Sequence, residues 1–124
     1  MNNYSYSVLI ADSDLESIKS LEEKFLKEGF FVVSVDSGNE AVSLVKERKI
    51  DIAIIDVNLK DIKGYKIVPL LKDINEDIKV IITTEKSSIE LEGKCRETGI
   101  IYYDIKPLDN DLIVDIVKSA LKMI

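Results

Sequence analysis

The chain predicts an α/β fold, a doubly wound parallel sheet of five strands, on three observations. Five short apolar runs alternate with segments of helical periodicity. The connections between them are short, so successive strands need helical crossovers and run parallel. The run Asp51-Ile52-Ala53-Ile54-Ile55-Asp56 is apolar without alternation, the pattern of a central strand covered on both faces.

The first strand falls within 4–11, where Val8, Leu9, Ile10 and Ala11 lead into Asp12-Ser13-Asp14. Leu15, Ile18, Leu21 and Phe25 follow at helical spacing. Ser13-Asp14-Leu15-Glu16 has the capping-box pattern, serine with glutamate three residues on, and Gly29 closes the helix in a left-handed conformation. The aromatic and β-branched residues of 30–35 predict the second strand. Ser37-Gly38-Asn39-Glu40 repeats the capping box before a helix through Ala41, Leu44 and Val45. The third strand is 50–56, and 58–64 is a polar loop ending at Gly64. Tyr65, Val68, Leu71 and Ile74 mark the next helical face; Pro69 removes a backbone donor and predicts a bend or a start near Val68. The fourth strand is 79–84. Ser87-Ser88-Ile89-Glu90 opens a helix to about Thr98 with few apolar residues (Ile89, Leu91, Cys95) and an internal Gly93, expected to be the most mobile element. Gly99 ends it. The fifth strand is 100–104, halted by Lys106-Pro107 because proline cannot continue a ladder. The last helix carries Leu112, Ile113, Ile116, Val117, Ala120 and Leu121. No repeat or linker interrupts the pattern, so one domain fills 1–124.

Composition narrows the chemistry. The 124 residues suffice for one packed core. Seventeen basic against 23 acidic residues give a net charge of −6, and without a basic stripe this argues against nucleic-acid binding by the domain. No apolar run approaches a membrane span and no signal peptide is evident, so the expected location is the cytoplasm. With no histidine and one cysteine, Cys95, intrachain disulfides, Ser-His and Cys-His catalysis and zinc sites are excluded. Oxygen-ligand metal chemistry remains open.

Four strands end in a polar, reactive group: Asp12 after the first, Asp56 on the third, Thr83 and Thr84 on the fourth, Lys106 after the fifth. Parallel strands bring their carboxyl ends to one edge, where open α/β sheets build their sites. These pieces, with Val57-Asn58-Leu59, Gly64 and Tyr103-Asp104-Ile105-Lys106-Pro107 in the same order and spacing, resemble the receiver domain of two-component response regulators over essentially the whole chain. The resemblance implies a flavodoxin-like sheet of strand order 2-1-3-4-5. It implies that Asp56 accepts a phosphoryl group from a histidine kinase or phosphotransfer protein. Mg2+ would be held by Asp12, Asp56 and the Asn58 backbone carbonyl. Thr84 would bind a phosphoryl oxygen, Lys106 would pair with its charge, and Tyr103 would reorient on activation. The face made by the fourth helix, fifth strand and fifth helix would switch partners and can support a homodimer, and an output domain can follow the receiver.

Ser13 departs from the resemblance. The family's second acid stands there and touches the metal, and a serine hydroxyl is a far poorer Mg2+ ligand. Weakened Mg2+ binding is expected, with Ser13 or Asp14 as a partial substitute; as a structural residue, Ser13 would be a helix cap. Glu85 replaces a small residue and adds bulk and charge beside the site, Lys60 replaces a proline, and Leu108 an aromatic. The alternative reading is a pseudo-receiver, a phosphorylation-independent interaction module. A flavin-type binder lacks its phosphate-cradling loop, and an Asp-x-Asp hydrolase lacks its second aspartate, where Asn58 stands. In neither leading reading is the domain a metabolic enzyme.

Overall fold

The computed structural model describes residues 6–123; Tyr4, included in the first predicted strand, lies outside them. The elements alternate as β1 (Ser7–Ala11), α1 (Lys19–Lys27), β2 (Phe31–Val35), α2 (Gly38–Glu47), β3 (Ile52–Asp56), α3 (Gly64–Ile74), β4 (Lys79–Thr84), α4 (Ile89–Arg96), β5 (Tyr102–Ile105) and α5 (Asn110–Ala120). All neighbouring strands pair in parallel, in the order β2-β1-β3-β4-β5. The expected fold and strand order are therefore present.

β3 lies between β1 and β4, and every one of its residues is buried, which is why its sequence lacks alternation. Its alternate side chains feed two cores. On one face Ala53 and Ile55 pack with Ala41 and Val45 of α2, Ile67, Val68 and Leu71 of α3, and Cys95 of α4. On the other, Ile52 and Ile54 meet Leu21 and Phe25 of α1 and Ile113, Val114 and Val117 of α5. Phe25 and Phe30 meet edge to face, 5.2 Å between ring centroids.

Local chemistry corrects several boundaries. α1 begins at Lys19 rather than beside Ser13, so the capping box there does not form. Instead Asp14 turns the chain, its carboxylate and carbonyl both accepting from the Ser17 N–H, and Leu15 stays exposed. Ser37 does cap α2, accepting from the Glu40 N–H. α4 is capped by Ser88, one residue later than expected, through the Leu91 N–H at 3.0 Å. β5 also starts later, at Tyr102, leaving Ile101 exposed. Pro69 neither ends nor delays α3, which starts at Gly64. The proline sits on the exposed face, where water can serve the carbonyl whose partner it removes. Gly29 and Gly99 both take left-handed backbone, φ +90° and +83°, just past α1 and α4.

Gly64 is fixed by approach rather than by backbone conformation. A Cβ there would stand 2.2 Å from the Asp56 carbonyl oxygen, so glycine lets α3 begin directly against the end of β3, and the Gly64 N–H reaches the Val57 carbonyl at 2.8 Å. Gly93, inside α4, has open space around it. Gly64→Ala is therefore expected to lower stability by about 2 kcal/mol or more. Gly93→Ala is expected to raise it by about 1 kcal/mol. Urea midpoints of the two variants check both signs.

Candidate functional site at the carboxyl edge of the sheet

Asp56 ends β3, Asp12 follows β1 and Lys106 follows β5. Parallel pairing brings them to one edge. The Lys106 ammonium lies 2.6 Å from Asp12 Oδ2 and 3.5 Å from Asp56 Oδ1. Asp12 and Asp56 are 2% and 4% exposed, so these charges meet in a weakly screened environment. The remaining lone pairs are partly served by backbone. Asp12 Oδ1 accepts from the Asp14 N–H at 2.9 Å, and Asp56 Oδ2 from the Asn58 N–H at 3.3 Å. Asp56 Oδ1 has no hydrogen-bond partner and is the one buried side-chain polar atom so placed among the described residues.

The protonation behaviour follows. Burial, then the neighbouring Asp12 charge, pushes the Asp56 carboxyl up to about 6, although Lys106 and the Asn58 N–H pull the other way. Burial alone would lower the Lys106 ammonium, but its hydrogen bond to Asp12 and the charges of Asp56 and Asp12 outweigh it, and its pKa is raised. Lys106 remains a cation, while the carboxyl it approaches most loosely is the one held at high free energy.

The other expected residues are placed as follows. Thr84 is fully buried at the end of β4, and its hydroxyl donates to the Lys86 carbonyl at 3.0 Å rather than toward Asp56. Tyr103 is buried on β5, its hydroxyl 2.6 Å from Ser87 Oγ, with Arg96 5.8 Å from its ring centroid. The Ser87 contact carries no sequence signature and was not expected. Ser13 is exposed, and Asp14 is engaged with Ser17, so neither carboxylate nor hydroxyl there joins Asp12 and Asp56. Asn58 is exposed; its side chain accepts from Lys63 Nζ at 2.8 Å, and the two residues form an isolated antiparallel bridge. Glu85, exposed, lines a groove of about 470 Å³ with Ile18, Leu21, Lys106, Pro107 and Leu108. Lys60 pairs with Asp36 across 2.5 Å.

The donor set suits a hard cation in chemistry but is thin in charge. The Asp56 and Asp12 carboxylates and the Asn58 carbonyl are oxygen donors of the kind Mg2+ takes, and Asp56 Oδ1 is buried without a hydrogen bond. No group of three acidic, histidine or cysteine side chains clusters among the described residues.

A parallel α/β sheet of order β2-β1-β3-β4-β5 with two acids and a lysine meeting at its carboxyl edge places the chain among the doubly wound α/β domains. Sequence comparison fixes the family. The model for the response regulator receiver domain matches residues 8–118, and the chain belongs to that family. The sporulation initiation phosphotransferase F of Bacillus subtilis is 30% identical over 116 residues, 94% of each chain. The transcriptional regulatory protein ZraR of Escherichia coli O157:H7 is 31% identical over 121 residues, 98% of this chain but 27% of the regulator. The chain thus spans about a quarter of the length of that relative. The crystal structure of a CheY-like receiver domain protein from Methanospirillum hungatei superposes with a TM-score of 0.90 at 21% identity, covering 96% of this chain and 95% of that one. No described helix is long and apolar enough to cross a membrane.

The raised Asp56 pKa has a sign that can be tested. The folded state binds the Asp56 proton more tightly than the unfolded chain does. That favours folding below pH ~4 and is lost as pH climbs through about 6. Above that range the buried carboxylate costs roughly 3 kcal/mol. Asp56→Asn is expected to be more stable than wild type by roughly 2 to 3 kcal/mol at neutral pH without divalent cations. The advantage should shrink toward zero below pH ~4, as read from urea denaturation at the two pH values.

Proposed function

We propose that Asp56 is the phosphoacceptor of a two-component signalling pathway, taking its phosphoryl group from a phosphohistidine on a partner kinase or phosphotransfer protein. The observation that carries this reading is the Asp56 oxygen that is buried and without a hydrogen bond while an ammonium stands 3.5 Å away. A nucleophilic oxygen free of donors attacks phosphorus without first breaking a hydrogen bond. The new Asp56 Oδ–P bond forms as the P–N bond to the donor imidazole breaks, and the imidazole leaves with a proton. Attack brings negative charge to negative charge, so catalysis here is positioning and charge compensation. Lys106, held against Asp12, supplies a compact cation for a moving phosphoryl oxygen.

Mg2+ would be held by Asp56, the Asn58 carbonyl and, through water, Asp12, and when bound it neutralises part of the phosphoryl charge. With Ser13 in place of an acid, that binding is weak. Thr84 leaves the Lys86 carbonyl to donate to the phosphoryl oxygen, which moves the chain between β4 and α4. Because Ser87 in that segment holds the Tyr103 hydroxyl, the motion reaches Tyr103 and the face of α4, β5 and α5. Ile89, 94% exposed, and Ile105, 49% exposed, lie on these elements and offer apolar contact to a partner or a second receiver. The domain is a switch that assists its own phosphorylation and dephosphorylation, acting in the cytoplasm; an output domain on which it acts is part of this reading, and the chain spans only about a quarter of the ZraR regulator it resembles.

Incubation with acetyl phosphate or phosphoramidate and Mg2+, followed by intact-mass measurement, is expected to show one phosphoryl adduct that is absent in Asp56→Asn. No adduct with any donor overturns the reading. Ser13→Asp restores a charged ligand and is expected to tighten Mg2+ binding by about tenfold or more, measured by titration of the unphosphorylated protein; unchanged affinity refutes the assigned role of Ser13.

A further inference from the structure

We infer that Asp61 is a positioning residue: its carboxylate, reaching from the β3–α3 loop to the first two backbone N–H groups of α2, helps hold that loop so that Asn58 stays beside Asp56. The inference deepens the Mg2+ reading above and rests on it for its functional consequence. Asn58, Lys60, Asp61 and Lys63 are all exposed, and an exposed loop has a fixed shape only where specific contacts offset its lost conformational freedom. Two contacts close the loop on itself: the Asn58–Lys63 bridge and the Gly64 N–H on the Val57 carbonyl. Its first half is seated by Val57 and Leu59, both buried in the core, and by the Val57 N–H on the Thr83 carbonyl.

Asp61 ties its exposed second half to the start of α2, beside the Lys60–Asp36 pair. Oδ1 accepts from the Gly38 N–H at 2.7 Å and Oδ2 from the Asn39 N–H at 3.0 Å. These are the N–H groups that open α2, whose own cap Ser37 serves the next one, on Glu40. The helix therefore leaves two donors to a carboxylate more than 20 residues away in sequence, where a negative charge also suits the helix dipole. Hydrogen bonds from Gly38 and then Asn39 hold the Asp61 carboxyl below the usual range, so the contact is made by the ionised form. Gly38 permits the approach: a Cβ there would meet an Ile62 methyl at 2.4 Å.

This anchorage matters more here because of Ser13. A site with one fewer carboxylate leans harder on a neutral carbonyl, and a carbonyl dipole contributes fully only when it is already aimed. The Asp61 carboxylate is engaged with α2 rather than with Asp56. It acts through the loop.

The test uses the full chain and MgCl2 alone, in about 1 M KCl, where screening over about 3 Å suppresses long-range charge effects. Mg2+ affinity is read from the Asn58 and Leu59 amide shifts, and hydrogen exchange at Asn58 and Gly64 is followed without metal. Asp61→Asn and Asp61→Glu are each expected to weaken Mg2+ binding about tenfold and to speed exchange at both amides. Lys60→Ala, which removes the neighbouring, partly exposed pair with Asp36, should shift affinity less than about twofold. Wild-type affinity in Asp61→Glu would mean that charge alone mattered and overturns the inference. So does faster exchange confined to Gly38 and Asn39 with Mg2+ affinity intact, the mark of a simple helix cap. A wild type that never responds to Mg2+ overturns the metal reading instead; in that case unchanged exchange at Asn58 and Gly64 in the variants overturns the clamp as well, and faster exchange upholds it.

Discussion

One ammonium holds the carboxyl edge of this domain together. Lys106 comes from the end of the chain's last strand and Asp12 from the end of its first, 94 residues earlier. Their contact beside Asp56 exists because parallel pairing aligns all the strand ends. Two nearly buried carboxylates side by side would repel strongly without a cation. With Lys106 present the repulsion is reduced, not removed; burial first, and then this remaining repulsion from Asp12, keep the pKa of Asp56 raised. The fold thus spends stability at one atom, and the two apolar cores on either side of the sheet supply it.

The site has a rigid part and an adjustable part. Asp12, Asp56 and Lys106 are fixed by β1, β3 and the end of β5, and Gly64 brings α3 against the last residue of β3. The segment after β4 is held by single hydrogen bonds, Thr84 to the Lys86 carbonyl and Ser87 to the Tyr103 hydroxyl. Bonds of this kind contribute about 1 kcal/mol each, so a charged group arriving at Asp56 can exchange them, whereas it cannot displace a strand. In the proposed switch, a phosphoryl group on Asp56 would act on this segment, and the Ser87–Tyr103 contact is the link by which the change would pass on.

The sheet was legible because its signals are redundant. The unalternating β3 and the helical faces of α2, α3 and α5 each specify their element through many residues, and the strand order accompanies the family pattern. The cluster Asp12, Asp56, Lys106 was legible too, since strand ends in a parallel sheet share an edge. Single-residue signals fared worse. Ser13 and Ser87 each head a capping-box pattern, but the chain turns on Asp14 and caps on Ser88, because several adjacent polar residues could each serve and tertiary packing chose among them. The Asp61 link to α2 and the Ser87–Tyr103 contact left no trace in the sequence: each joins an exposed polar side chain to a partner distant along the chain, with no periodicity to mark it.

α4 is moored to the sheet by Cys95, its one buried residue, with Leu91 packed beside it. Folding therefore constrains little of its outer surface, and Ile89 can stand bare without harm to the core. Mutations can accumulate along that helix with the scaffold and the chemistry both intact. Sister modules duplicated within one genome could diverge there first, acquiring separate correspondents while keeping a common engine.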